Sequence, residues 1–382
     1  MRTAARRFPL TDWTVLVPLL SLLALVFSWG RELPGFAVAV VALCLAGAVL
    51  AAVHHAEVVA HRVGEPFGSL VLAVAVTVIE VALIVTLMAD GGDKTASLAR
   101  DTVFAAVMIT CNGIVGLSLL VGALRHRVAV FNAEGSGAAL ATVATLATLS
   151  LVLPTFTTSK PGPEFSAPQL TFAAVASLAL YGLFVAVQTV RHRDYFLPVA
   201  TAPAGDGAPG AGRGAGPGGA SGDGEHAVPP TARAALVSLG LLLVALVAVV
   251  GNAKAVSPAI ESGVAEAGLP QAVVGVVIAL LVLLPETLAA VRAARRDRVQ
   301  TSLNLAYGSS LASIGLTIPV IALASVWLAG PLLLGLGPVH TVLLALTVVV
   351  GALTVVPGRA TLLQGGVHLV LLAAYLFLAV SP

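Results

Sequence analysis

The sequence predicts an all-α, polytopic membrane protein of about eleven transmembrane helices, a lone helix followed by two inverted sets of five. Three observations predict it. Of 382 residues, 58% are hydrophobic and only 10% charged, against roughly 25% charged in a soluble domain. Apolar segments of about 20 residues, the length that crosses a hydrocarbon layer of roughly 30 Å, recur along the whole chain. The basic residues sit in short loops, weighted to alternate connections. A net charge of +2 with no basic stripe excludes nucleic acid as a partner and leaves the lipid bilayer as the environment.

The segments run approximately over 13–29, 35–59, 68–89, 101–124, 137–153, 169–190, 232–253, 271–291, 300–328, 332–356 and 360–380. The first follows Arg2, Arg6 and Arg7 and resembles a signal peptide, but "VFSWGRELPG" after it has no small-residue cleavage site, so it reads as helix one. An amino terminus in the cytoplasm puts Arg62, Arg125, Arg127, Arg191, Arg193, Arg213, Arg233, Arg292, Arg295, Arg296, Arg298 and Arg359 on the same side as those three arginines. That makes fifteen, against Arg31, Lys94, Arg100, Lys160 and Lys254 on the other. This asymmetry fits eleven spans in a cytoplasmic (inner) membrane, with the carboxyl terminus outside. Cys44 and Cys111 fall inside apolar runs and read as packing residues, not a disulfide.

Between helices six and seven, "TAPAGDGAPGAGRGAGPGGASGDGEHAVPP" is too rich in Gly, Pro and Ala to bury a core. The chain therefore divides into 1–33, an amino-terminal segment with helix one; 34–192, five helices; 193–231, a flexible cytoplasmic linker; and 232–382, five more. The two sets of five read as a repeat. "VAHRVGEPFGSLVLAVAVTVIE", ending at Glu80, lies beside "VAEAGLPQAVVGVVIALLVLLPE", ending at Glu286, and "MITCNGIVGLSLLVG" beside "AYGSSLASIGLTIPV", which puts Gly116–Leu117 opposite Gly315–Leu316. Helix two enters from outside and helix seven from inside. The halves are thus inverted, as in transporters with a site at the membrane midplane.

A carboxylic acid in the middle of an apolar span costs about 3 kcal/mol or more, so Glu80 and Glu286 need a partner or a task. At equivalent repeat positions they form one carboxylate site that attracts cations. Structural hydrogen bonding inside the bundle is the other reading of each. Pro285 frees a backbone carbonyl one turn earlier, which either supplies an ion ligand or marks a kink. A hard cation such as calcium takes about six to eight oxygens, and Thr110, Asn112, Ser309, Ser310 and Ser313 lie at comparable depth in the helices that follow. Singly, such hydroxyls bond their own backbone; clustered beside paired carboxylates, they are candidate ligands.

"GSSLASIGLTIP", residues 308–319, resembles the glycine–serine–serine segment of the cation/proton exchanger family in the calcium:cation antiporter superfamily. "HHAEVVAHRVGEPFGSLVLAVAVTVIEVALIV" and "LLPETLAAVRAARRDRVQTSLNLAYGSSLASIGLTIPV" are similar to its ChaA-type branch. The resemblance covers nearly the whole chain outside the linker and amino terminus. It implies an eleven-helix antiporter whose two α-repeats carry ion-binding glutamates, mapping onto Glu80 and Glu286. The Gly-Asn of the family before each glutamate is Val76-Thr77 and Val282-Leu283 here, and the acidic stretch of its linker is absent.

Helix two adds "HHAEVVAH", in which His54, Glu57 and His61 share a face. They read as a proton or cation vestibule, as a metal site or as interfacial packing; Glu261 lies near the opposite mouth. Burial favours a protonated carboxyl and an arriving cation the ionised form, so protons and cations compete for one site. The sequence thus points to calcium/proton antiport, with sodium or potassium/proton antiport as the alternative and an intramembrane metal-dependent enzyme on His54, Glu57 and His61 as a distant one. No cofactor is expected beyond the transported cations and protons.

Overall fold

The computed structural model describes residues 12–31, 33–64, 67–90, 96–199, 230–327 and 330–381; Arg2, Arg6, Arg7, Lys94, Arg213 and all of the Gly-rich linker but its last residue lie outside them. Among the described residues, eleven apolar helices follow one another: α1 Trp13–Ser28, α2 Gly35–Val63, α3 Phe67–Asp90, α4 Leu98–His126, α5 Ala133–Phe156, α6 Ala167–Arg191, α7 Ala232–Glu266, α8 Ala272–Arg295, α9 Val299–Ala324, α10 Pro338–Val355 and α11 Leu362–Val380.

The helices match the expected spans in number and order, and differ at their ends for physical reasons. Segment 332–337 is not helical, because Pro338, preorganised for a first helical position, starts α10 there; Leu332, Leu334 and Leu336 before it are nevertheless buried. Past its expected end, α7 continues through Pro258 to Glu266. The proline costs one hydrogen bond, which the rest of a long apolar helix absorbs. Cys44 and Cys111 are free thiols, as expected of packing residues.

Packing relates the halves. α2 and α7 lie along one another and bury Leu45, Val49, Val53, Leu242 and Val249 in a shared seam. α3 packs on α9 while α8 packs on α4; α9 also packs on α6 while α4 packs on α11. Each half therefore clasps the other through equivalent helices. α6 and α11 even begin alike, with capping boxes Ser166/Gln169 and Thr361/Gln364. Short antiparallel bridges tie the halves at both ends of the bundle: Ala129–Val130 pairs with Arg359–Ala360 at one, and Glu164 with Leu333 at the other.

Helix α1 closes the α2–α7 seam from the side. Pro18 has no N–H, so the carbonyl of Thr14 one turn earlier loses its helical partner; His55 Nε2 of α2 reaches that oxygen at 2.8 Å. Ser21 Oγ donates to the Cys44 carbonyl at 2.8 Å, and Asn252 Nδ2 of α7 donates to the Ser21 carbonyl at 2.9 Å. Buried in apolar surroundings, these bonds fix α1 on both halves.

Candidate functional site

Glu80 lies near the middle of α3 and Glu286 near the middle of α8. Apolar helix on either side carries both to mid-depth. Glu80 is 4% exposed, and its Oε1 accepts a 2.5 Å hydrogen bond from Ser313 Oγ of α9, itself buried. Glu286 is partly buried, and its Oε2 is buried without a hydrogen-bond partner. Glu80 and Glu57 lie within electrostatic reach of Glu286. The helices thus gather three carboxyl groups, two of them near the middle of their apolar helices.

The helices that follow the glutamates, α4 and α9, pack against one another. Cys111 Sγ of α4 contacts Ser310 Oγ of α9 at 3.8 Å, and the 199 positions between them are the spacing that relates Gly116 to Gly315. The glycines serve the same purpose in each half. A Cβ on Gly116 would come within 3.1 Å of the Gly365 carbonyl and His368 Cβ of α11, and one on Gly315 within 2.7 Å of Tyr181 Cβ of α6. Small residues at these positions let the helices approach closely enough to pack.

At this level α4 opens into a π-helical turn, Ile109–Ile114, "ITCNGI". Such turns occur largely at functional sites, because one extra residue per turn re-aims side chains and carbonyls. Thr110 Oγ1 turns back onto the Ala106 and Val107 carbonyls, at 2.8 and 3.1 Å. Asn112 points away from α9: its Nδ2 donates to Thr347 Oγ1 of α10 at 2.9 Å, and its Oδ1 faces His368 Nδ1 of α11 at 3.1 Å. Ser309 is half-buried.

Of the residues the sequence singles out, the structure therefore brings Glu80, Glu286, Ser310 and Ser313 to one region with Cys111. Thr110 is directed to its own backbone and Asn112 to α10 and α11. Along α2, Glu57 and His61 are exposed, and the ring of the half-buried His54 lies tilted against Trp13 with ring centroids 6.2 Å apart. Among the described residues, no three His, Cys, Asp or Glu side chains converge as a metal-ligand cluster. Glu261 accepts from Ser257 Oγ at 3.0 Å and lines a pocket of about 490 Å³ with Pro258, Ser262, Ala265 and Gln271.

Sequence reasoning missed Tyr307 and His368. Tyr307 is 1% exposed, within electrostatic reach of Cys111, and its hydroxyl is unpartnered. Its phenolic oxygen and Glu286 Oε2 are buried oxygens of the kind a cation would satisfy. Tyr307 lies one helical turn before Ser310, a spacing readable in "YGSSLAS". His368 carries its own signal, an ionisable side chain inside the apolar run "VHLVLLAAYLFLAV".

A family model described as sodium/calcium exchanger protein matches two segments, residues 33–190 and 237–381. The chain belongs to that family. The exchanger is 46% identical to y4hA of Sinorhizobium fredii, an ionic transporter by name, over 97% of this chain and 96% of the relative. It is 34% identical to the sodium-potassium/proton antiporter ChaA of Escherichia coli over 96% and 95% of the two chains. Its fold is similar to that of native YfkE, with a TM-score of 0.68 at 16% identity over 97% and 99% of the chains. It is also similar to that of the H+/Ca2+ exchanger CAX, at 0.65 and 14% over 95% and 86%. The exchanger is a multi-pass membrane transporter and not an enzyme, in agreement with the resemblance read from its sequence.

Proposed function

We propose that the exchanger is a secondary active cation/proton antiporter of the cytoplasmic membrane, expelling calcium in exchange for protons at Glu80 and Glu286. One observation carries this reading: two glutamates at the middle of equivalent apolar helices, one carboxylate bonded by the Ser313 hydroxyl and the other with a buried oxygen unpaired. Two carboxylates are neutralised by two protons or by one divalent cation. Empty, the site keeps two uncompensated charges in a low-dielectric interior, which is costly. Passage between inward-open and outward-open states is therefore favoured only when the site is loaded, and the loads exchange without covalent chemistry.

The donor set suits a hard cation. The carboxylates offer about four oxygens, and Ser310, Ser313, Tyr307 and water complete the roughly six to eight that calcium takes. Asn112 and Thr110 would contribute only after turning from their present partners. The matched segments 33–190 and 237–381 support division into repeats 34–192 and 232–382, with 1–33 before them and 193–231 as a linker. The excess of arginine in alternate loops supports a cytoplasmic amino terminus and an external carboxyl terminus. On that orientation His54, Glu57 and His61 form the inner vestibule, and Glu261 lies at the outer mouth.

Sodium or potassium/proton antiport is the second reading. It is favoured by the 34% identity to a sodium-potassium/proton antiporter and by an Asn112 turned away from the carboxylates. The test is collapse of a pH gradient in inverted vesicles, screened across calcium, sodium and potassium. Collapse by calcium at the lowest concentration supports the first reading, and collapse by the monovalent ions alone supports the second. Collapse by none of them refutes both.

A further inference from the structure

Behind the π-helical turn of α4 lies a buried polar chain in the apolar bundle. Thr347 Oγ1 donates to the Leu343 carbonyl at 2.8 Å and so accepts from Asn112 Nδ2 at 2.9 Å. That leaves Asn112 Oδ1 as an acceptor, so the His368 Nδ1 facing it at 3.1 Å carries the proton. His368 Nε2 then accepts from Thr354 Oγ1, at 3.2 Å. These partners fit His368 as the Nδ1–H tautomer; Asn112 Nδ2 and Thr347 Oγ1 also approach Met108 Sδ, at 3.7 and 3.5 Å, and the imidazole also reaches the backbone of Cys111 in the same turn. His368, Asn112, Thr347 and Thr354 are 1%, 0%, 2% and 3% exposed.

The other half lacks this chain. With the 199-position spacing of Cys111 and Ser310, Asn112 corresponds to Leu311, an apolar residue. Where His368 packs on Gly116, Tyr181 packs on Gly315. One half thus packs with an apolar residue and a tyrosine where the other spends a buried amide and imidazole, which are costly unless fully bonded. Packing alone does not call for them. What distinguishes this half is the π-helical turn, with Asn112 on its rear side and Cys111, in contact with Ser310, on its front.

We propose that His368 is a positioning residue for cation binding: through its bond to Asn112 it fixes the rotation of the α4 π-helical turn, and with it the groups that the turn presents to the carboxylate region. The inference rests on the exchange reading above. His368 itself carries no transported proton. It acts through the amide of Asn112.

The test uses the length of the side chain. The amide nitrogen of asparagine stands where His Nδ1 stands, so His368→Asn keeps the bond to Asn112 and loses Thr354. The amide of glutamine reaches the Nε2 position, so His368→Gln keeps Thr354 and loses Asn112. In inverted vesicles normalised for inserted protein, His368→Leu and His368→Gln should raise the half-saturating cation concentration about tenfold, with maximal rate within about twofold of wild type. His368→Asn should stay within about twofold in both, with an unchanged pH profile. Combining His368→Leu with Asn112→Ala should add nothing to either change alone. Cation-induced thermal stabilisation of purified protein reads the same order without transport, so silent wild-type vesicles would count against the exchange reading and not against this one.

Three results would overturn the proposal: a tenfold shift or altered pH profile in well-inserted His368→Asn, rescue by glutamine but not asparagine, or additive effects in the double variant. If His368→Leu fails to insert, the contrast between asparagine and glutamine decides alone.

Discussion

Ser313→Ala removes one hydroxyl from the centre of the proposed site, and the structure sets the size of the effect. Ser313 Oγ lies 2.5 Å from Glu80 Oε1, and both residues are almost fully buried. A hydrogen bond to a charged group contributes about 1.5–3 kcal/mol, and leaving such a group unpaired in a dry interior costs at least as much. Since about 1.4 kcal/mol is tenfold in affinity, the half-saturating cation concentration should rise roughly 10- to 100-fold. Ser313→Thr, which retains the hydroxyl, should recover most of the loss. Ser309→Ala, one turn away and half-buried, should stay within about threefold. Initial rates of gradient collapse against cation concentration, per inserted transporter, measure all three. A Ser313→Ala half-saturation within twofold of wild type would refute the argument that this hydroxyl holds Glu80 for the cation.

His55→Leu should lower thermal stability by about 1–3 kcal/mol, read as a lower Tm in detergent, because it strands the Thr14 carbonyl that Pro18 frees; an unchanged Tm would mean that α1 is held by its apolar face alone. Gly315→Ala places a Cβ 2.7 Å from Tyr181 Cβ and should cost about 1–3 kcal/mol by overpacking, with Tyr181→Gly, which removes that Cβ, partly restoring the Tm. Deleting residues 204–222 should preserve exchange, since that Gly- and Pro-rich composition has neither carboxylate clusters nor an apolar pattern to dock; loss of transport in a correctly inserted deletion would assign the segment a regulatory role.

The helices were legible because the bilayer imposes one length and one polarity on each span, and the eleven expected segments correspond to α1–α11. Their ends were less so. Pro338 could have been read as a first helical residue, but the apolar run around Leu332–Leu336 hid it, as the same residues suit a buried loop and a span. Glu80 and Glu286 stand out in sequence because charge is rare in such segments, and Ser313 only as one of a cluster with Ser309 and Ser310. The direction of Asn112 does not. Whether an amide faces a carboxylate or a histidine far along the chain depends on a π-helical turn that six ordinary residues, "ITCNGI", do not announce. For Tyr307 the spacing before Ser310 is readable in sequence, but its burial and unpartnered hydroxyl are seen only in the structure.

The central claim is that protons and cations share Glu80 and Glu286. Glu80→Gln and Glu286→Gln keep size and hydrogen-bonding capacity while removing the charge, so each inserted variant should fold. The direct measurement is simultaneous recording of cation uptake and proton efflux in vesicles carrying either variant. Shared use predicts that both fluxes vanish together in each variant, with no cation-dependent proton leak. Cation exchange at near wild-type rate in either one would contradict the account and make that glutamate a structural residue.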